Sequence, residues 1–185
     1  MSAATEPLHL TATTSAAGHA LGPADAPHTL HVFGTYECLH CRLAWPALRA
    51  LAEEGAARVV WHHFAPPGAF PHAGAAAAAA EAAADQGAFW AAHDALMAAP
   101  APLWPEAAVG AVAPHVDDLA AWRRAMQGDA VRARLAAQRD AAGALGVRGT
   151  PTVFLLAPGG GPPERVDVRD PDALRDRLAP ARAAV

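Results

Sequence analysis

Lysine is missing from this chain: all 14 basic residues among its 185 are arginine. Schiff-base catalysis, a P-loop lysine on a phosphate and a buried ammonium base are therefore excluded. Cysteine is almost as scarce. The two thiols, Cys38 and Cys41, lie three positions apart, so no disulfide framework can hold distant segments together. Charge is sparse as well, at 17% of residues with a net −4, which supplies no basic field for nucleic acid or an anionic membrane. No stretch reaches 18 uncharged apolar residues, and Met1 to Ala20 carries neither a basic n-region nor a continuous apolar run. A cytoplasmic protein is the expectation.

What is present is apolar: 53% of the residues, enough for a chain of this length to bury a core unaided and too much for disorder. The alanine runs, such as Ala75 to Ala80, read as the composition of a GC-rich genome.

Residues 1–28 read as an irregular lead-in with a short strand over Leu8–Thr13, closed by the turn-rich Gly22-Pro23-Ala24-Asp25-Ala26-Pro27. Thr29–Phe33 is β-prone. From Cys38 to Glu54, Leu39, Leu43, Leu48 and Leu51 recur at helical spacing, with Pro46 inside the pattern as an expected kink. Arg58–Phe64 is the next strand, giving a β-α-β unit with parallel strands. Helices are expected near 73–86, 88–98, 105–113, 117–126 and 129–144, with Asp117 and Asp129 at N-terminal positions. Then come strands Thr152–Leu156 and Glu164–Val168, and a final helix over 171–182.

The strongest signal is Cys38-Leu39-His40-Cys41 at the junction of strand and helix. A thiol at a helix N-terminus faces unpaired amide protons and the positive end of the macrodipole, which favour thiolate. Cys38 is the expected nucleophile, and Cys41, one turn further in, suits the resolving role. His40 adds a titratable donor in the same turn that would lower the Cys38 pKa further. Thr150-Pro151 stands directly before a strand. A trans bond is the usual state there, whereas a cis bond would aim the Thr150 backbone at a substrate peptide.

Taken together, the CxxC at a helix start, a proline five residues after the second cysteine, the long helical insertion and Gly149-Thr150-Pro151-Thr152 before a hairpin resemble the DsbA-like members of the thioredoxin superfamily. Tyr36-Glu37-Cys38, His63-Phe64, Pro71-His72-Ala73, Gln86-Gly87, Phe89-Trp90 and His93-Asp94 agree locally, and the likeness spans roughly residues 22 to 180. It implies an α/β thioredoxin fold, a central mixed β-sheet flanked by helices, with core segments 22–70 and 147–185 and an inserted helical subdomain at 71–146. It also implies a protein disulfide oxidoreductase with Cys38 as nucleophile, Cys41 as resolving thiol, a cis Thr150–Pro151 bond, and Leu39, Thr150 and Pro151 on the substrate side. The expected partner is a protein or small-molecule disulfide or thiol, with the redox-recycling partner unassigned. No cofactor, metal, nucleic acid or membrane is called for, and a monomer is expected.

Two departures stand out. Leu39 occupies a position where relatives often carry proline, and Val32 stands where they frequently carry a buried acid that relays a proton to the resolving thiol. Glu37, His40, His62 and His63 are the candidates to replace it, although strand alternation would turn one of His62 and His63 inward and the other outward. His72 and His93 are expected to cap or hydrogen-bond within the insertion. The tryptophans read mostly as packing residues, and Arg123-Arg124 and Arg132-Arg134 as solvated helix faces. Competing readings are a zinc module using Cys38, Cys41 and two histidines, a glutathione-dependent transferase or isomerase on the same fold, and a binding domain with idle thiols.

Overall fold

The structure is a computed structural model that describes residues 17–158 and 161–178. At its centre β2 (Thr29–Gly34) and β3 (Arg58–His63) run parallel, joined by α1 (Leu39–Glu53). The register pairs Leu30 with Val59, Val32 with Trp61 and Gly34 with His63. On the other side of β2 lies β4 (Thr152–Leu156), antiparallel, followed by β5 (Glu164–Val166). A three-residue strand, β1 (His19–Leu21), adds antiparallel to β3, so the sheet order is β1-β3-β2-β4-β5.

Nearly continuous apolar runs in β2, β3 and β4 signal a sheet covered on both faces. Leu30, Val32, Val59, Trp61, Val153 and Leu155 pack on one face against α1. Phe33 and Phe154 pack on the other against Ala142, Leu145 and Val147. The buried stripe of α1 is Cys41, Ala44, Trp45, Leu48, Leu51 and Ala52. Leu39 and Leu43, which share its apolar spacing in the sequence, are instead 63% and 66% exposed. Pro46 lies inside a helix that continues to Glu53.

The insertion consists of α2 (Ala73–Ala84), α3 (Phe89–Ala98), α4 (Pro105–Val112) with a 3-10 turn at Ala113–His115, α5 (Leu119–Met126) and α6 (Asp129–Ala144). Its alanines have a structural use. Ala76, Ala79, Ala80, Ala82 and Ala83 are fully buried, and their small side chains let α2 serve as a hub packed against α3, α4, α5 and α6. Trp45 Nε1 donates to Asp94 Oδ1 at 2.8 Å and Arg49 pairs with the same carboxylate, fastening α1 to α3. The chain ends in α7 (Pro171–Leu178).

Several boundaries shift from the sequence reading. β1 falls within the segment read as lead-in, whereas Leu8–Thr13 lies outside the described residues. Asp118, not Asp117, caps α5, accepting from Ala121 N at 2.8 Å, and Gly128 precedes α6 with Asp129 in its first turn. Arg134 does not belong to a solvated face: it binds the buried Glu81 at 2.9 Å. Among the described residues no helix is long and apolar enough to cross a membrane.

Candidate active site

Gly34 ends β2, and the chain turns through Thr35 into α1 at Cys38, whose N–H bonds to Thr35 O at 3.2 Å. Cys38 is the N-cap residue, in an extended conformation (φ −80°, ψ 116°) that leaves its side chain at the mouth of the helix. Cys41 lies one turn inside. Both are free thiols, 4% and 2% exposed.

The pKa values of the two thiols are driven in opposite directions. The Cys41 thiol donates to Cys38, the Thr150 side chain adds a second hydrogen bond, and the backbone N–H groups of Cys41 and His40 complete the set. Together they outweigh burial and bring the Cys38 pKa down from 9.0 to about 5. The proton that Cys41 gives to Cys38 is correspondingly hard to remove. That bond, followed by burial and the neighbouring thiolate, pushes the Cys41 pKa well up, only partly offset by the Thr35 backbone N–H.

On the opposite side of the cleft Thr150 and Pro151 enter β4, 112 residues away in sequence. The Thr150–Pro151 peptide is cis, and Cys38 Sγ lies 3.4 Å from Thr150 O. Thr152 Oγ1 donates to Gly149 O at 2.8 Å, fastening the turn. Thr150, Pro151, His40 and residues 165–169 line a cleft of ≈ 480 Å³. The wall at 165–169 carried no sequence motif: Arg165 reaches Thr152 Oγ1 at 3.2 Å, while Arg169 is paired with Asp167.

The structure therefore brings Cys38, Cys41, His40, Thr150 and Pro151 together, with Leu39 exposed beside them. His40 reaches the Cys38 sulfur through its backbone N–H, while its exposed side chain lines the cleft. Among the relay candidates, Glu37 is engaged elsewhere, accepting from His72 N at 3.0 Å at the start of α2. His62 and His63 are both buried, because helices cover both sheet faces, so neither points to solvent. His62 bonds His31 (Nε2 to Nδ1, 3.0 Å) and stacks on Phe33. His63 lies on the thiol-bearing face beside Tyr36 and Glu81. Val32, fully buried between Trp61 and Val153, leaves an apolar floor under the cysteines.

Three features escaped the sequence reading. Gly34 is required by packing: a Cβ there would lie 2.4 Å from Trp61 Cη2 and 3.1 Å from Cys41 Sγ. Tyr36, two residues before the nucleophile, is buried with its hydroxyl 3.0 Å from His93 Nδ1. Glu81, surrounded by alanine in the sequence, is a fully buried carboxylate bound by His19, Arg134 and Gln138. Among the described residues no group of three or more His, Cys, Asp or Glu side chains is placed to hold a metal ion.

Comparison with known proteins gives a consistent result. A family described as thioredoxin matches residues 14–156. The chain is 40% identical over 139 residues to a Na(+)/H(+) antiporter NhaA 1 of Salinispora arenicola, covering 74% of this chain but 21% of that one. It thus spans about a fifth of the length of the curated relatives it matches. Among solved structures, a thioredoxin-like oxidoreductase from Silicibacter pomeroyi superposes with a TM-score of 0.73 at 26% identity, over 94% of this chain and 96% of the other. Pseudomonas aeruginosa DsbA2 superposes with a TM-score of 0.71 at 22% identity, covering 90% and 97%.

Proposed function

The chain belongs to the thioredoxin family, and from that membership we propose that it is a thiol–disulfide oxidoreductase working through the Cys38–Cys41 dithiol. One observation carries the reading: a thiol at a helix mouth with its pKa lowered to about 5, its partner thiol one turn behind, and the Thr150 carbonyl 3.4 Å in front. Cys38 thiolate attacks a disulfide R–S–S–R′ and forms the mixed disulfide Cys38–S–S–R, releasing R′–S⁻. Cys41 then gives up its proton and attacks Cys38 Sγ, expelling R–S⁻ and closing the Cys38–Cys41 disulfide.

Thr150 and Pro151 form the side of the cleft on which an extended substrate would lie, with Leu39 and His40 at its rim. The cleft suits a protein or small-molecule disulfide; ion transport by the longer antiporter chains is not part of the proposal. The thiolate also sets a direction. At pH 7 a pKa of about 5 in place of 9.0 stabilises the dithiol by roughly 3 kcal/mol. The couple is then ~60 mV more oxidising than one with an ordinary thiol. Cys41 does not offset this, because it is protonated at pH 7 either way.

The test uses Cys41→Ala with a disulfide-bearing peptide, read by mass spectrometry. A stable adduct at Cys38 is expected, and none in Cys38→Ser. Adduct formation at neither thiol in any variant would overturn the proposal.

A further inference from the structure

A thiolate that attacks a disulfide is itself an anion, so a carboxylate beside the scissile sulfurs slows the attack unless a cation offsets it. The wall of the substrate cleft supplies one. Its lining carries two guanidinium groups, Arg165 and Arg169, and one carboxylate, Asp167. Asp167 is spent on Arg169, whose Nε lies 2.9 and 3.0 Å from the two carboxylate oxygens. Arg165 is left over.

Arg165 stands on β5 opposite Phe154 of β4, exposed to solvent. Its Nη2 donates to Thr152 Oγ1 at 3.2 Å. The Thr152 hydroxyl proton is already committed to Gly149 O, so this oxygen serves the guanidinium purely as an acceptor. The bond fixes the charged head two residues past Thr150, whose carbonyl lies 3.4 Å from Cys38 Sγ. A guanidinium has five N–H donors in a planar fork that matches a carboxylate. Among the described residues the remaining donors of Arg165 have no hydrogen-bond partner, and no acid lies within ion-pair distance of it.

The acids nearest in sequence are engaged elsewhere. Glu164 pairs with Arg177 at 2.6 Å, and Asp170 accepts from the N–H groups of Asp172 and Ala173 at the start of α7. Glu37, next to the nucleophile, accepts from His72 N. Arg148, exposed two residues before Thr150, bonds the Val147 carbonyl and has no acid partner among the described residues. Uncompensated guanidinium groups therefore stand both upstream and downstream of Thr150.

We propose that Arg165 is the specificity-determining residue of the cleft and selects disulfides that carry a carboxylate within about two residues of the half-cystine, as an acidic peptide or a glutathione-like tripeptide does. The inference rests on the dithiol reading above. An extended segment lying along Thr150 brings its half-cystine to Cys38 and a side chain one or two positions further on to Arg165. That carboxylate takes the open N–H fork before the thiolate attacks. No proton or electron moves in this contact. Arg165 binds a charge that Cys38 alone repels, and the exchange then runs as written: the Cys38–S–S–R bond forms and R′–S⁻ leaves with the electron pair.

The experiment mixes the reduced protein at low salt with two acetylated, amidated peptide disulfides that differ only in carrying Glu or Gln on both sides of the half-cystine. Oxidation of the dithiol is followed by tryptophan fluorescence. The Glu-to-Gln rate ratio within one protein cancels any change in thiol reactivity or in the folded fraction. It should be about fivefold in the wild type, the upper part of what an exposed guanidinium–carboxylate pair contributes, and should fall toward one as salt screens the pair. Arg165→Gln should bring the ratio below twofold and Arg165→Glu below one; a merely structural role for Arg165 would leave it unmoved. A parallel pair, oxidised glutathione and its ethyl ester, separates the two sources of the carboxylate: a preference confined to the peptides assigns the site to polypeptides, and one confined to glutathione assigns it to the tripeptide. A wild-type ratio below threefold in both pairs, or one that stays at twofold or more in Arg165→Gln, overturns the proposal and leaves the dithiol reading standing. No reaction of Cys38 with any of the disulfides defeats both.

Discussion

Lowering the pH from 7 to 5 should cost this protein several kcal/mol of stability, because four of its histidines are buried without charge. His31, His62 and His93 are fully buried and His63 is 6% exposed. Desolvation is the leading cause in each: it lowers His31 to about 4, His62 to about 3 and His63 to about 4 from 6.5, and takes His93 well below that value. Through the interval between the folded and unfolded values the unfolded chain binds protons that the folded one refuses. Stability is therefore fully present above 6.5 and declines as the pH falls. For each of His31, His62 and His63 the loss between pH 7 and pH 5 is roughly 2 kcal/mol, and His93 adds to it in the same direction, against the ~5–15 kcal/mol that typically separates folded from unfolded.

Glu81 does not compensate. Its pKa of about 2 gives stability that is present above 4.5 and disappears only as the pH drops toward 2. Cys38 adds a loss of the same sign between 9 and 5 in the dithiol form, so the disulfide form isolates the histidines. The assay is urea unfolding of the oxidised protein at pH 5, 6 and 7, followed by tryptophan fluorescence. A fall of several kcal/mol is expected. The double variant His31→Leu/His62→Phe, which replaces both members of one hydrogen-bonded pair, should roughly halve the slope. A change below about 1 kcal/mol between pH 7 and 5 would refute the reasoning.

The Cys38 thiolate should titrate near pH 5 in the wild type and move toward the ordinary thiol range in Cys41→Ala, which removes the largest stabilising hydrogen bond; ultraviolet absorbance reads both. Gly34→Ala should cost ~1–3 kcal/mol in urea unfolding by driving a methyl into Trp61 and Cys41. Asp118→Ala should cost about 1 kcal/mol, through the lost cap on α5, without altering thiol chemistry.

The elements that the sequence announced are those whose local signals agree with tertiary demand. Thr152–Leu156 and Asp129–Ala144 fall where β-branched residues and glycine punctuation place them. Cys38, Cys41, Thr150 and Pro151 were legible because each requires its own neighbourhood: a strand end, a helix mouth, a strand start. Legibility fails where partners are distant. β1 is three residues long, too short to alternate, and exists only because β3 offers an edge. Leu39 and Leu43 match the helical period but lie on the face that no element covers. His62 and His63 alternate as strand neighbours must, yet both are buried, since which faces a sheet exposes is decided by helices far along the chain. Glu81 looks unremarkable among alanines until His19, Arg134 and Gln138 are brought to it.

The most direct test of the central claim is the redox equilibrium of Cys38 and Cys41 in glutathione buffers, read by the fluorescence of Trp45 and Trp61, both packed in the core cluster that contains the thiols. The account predicts one reversible two-electron transition in the wild type and its loss in Cys38→Ser. It also predicts a potential displaced to the oxidising side by the low Cys38 pKa. A signal that stays flat across the glutathione range, with both thiols unreacted by mass spectrometry, would contradict it.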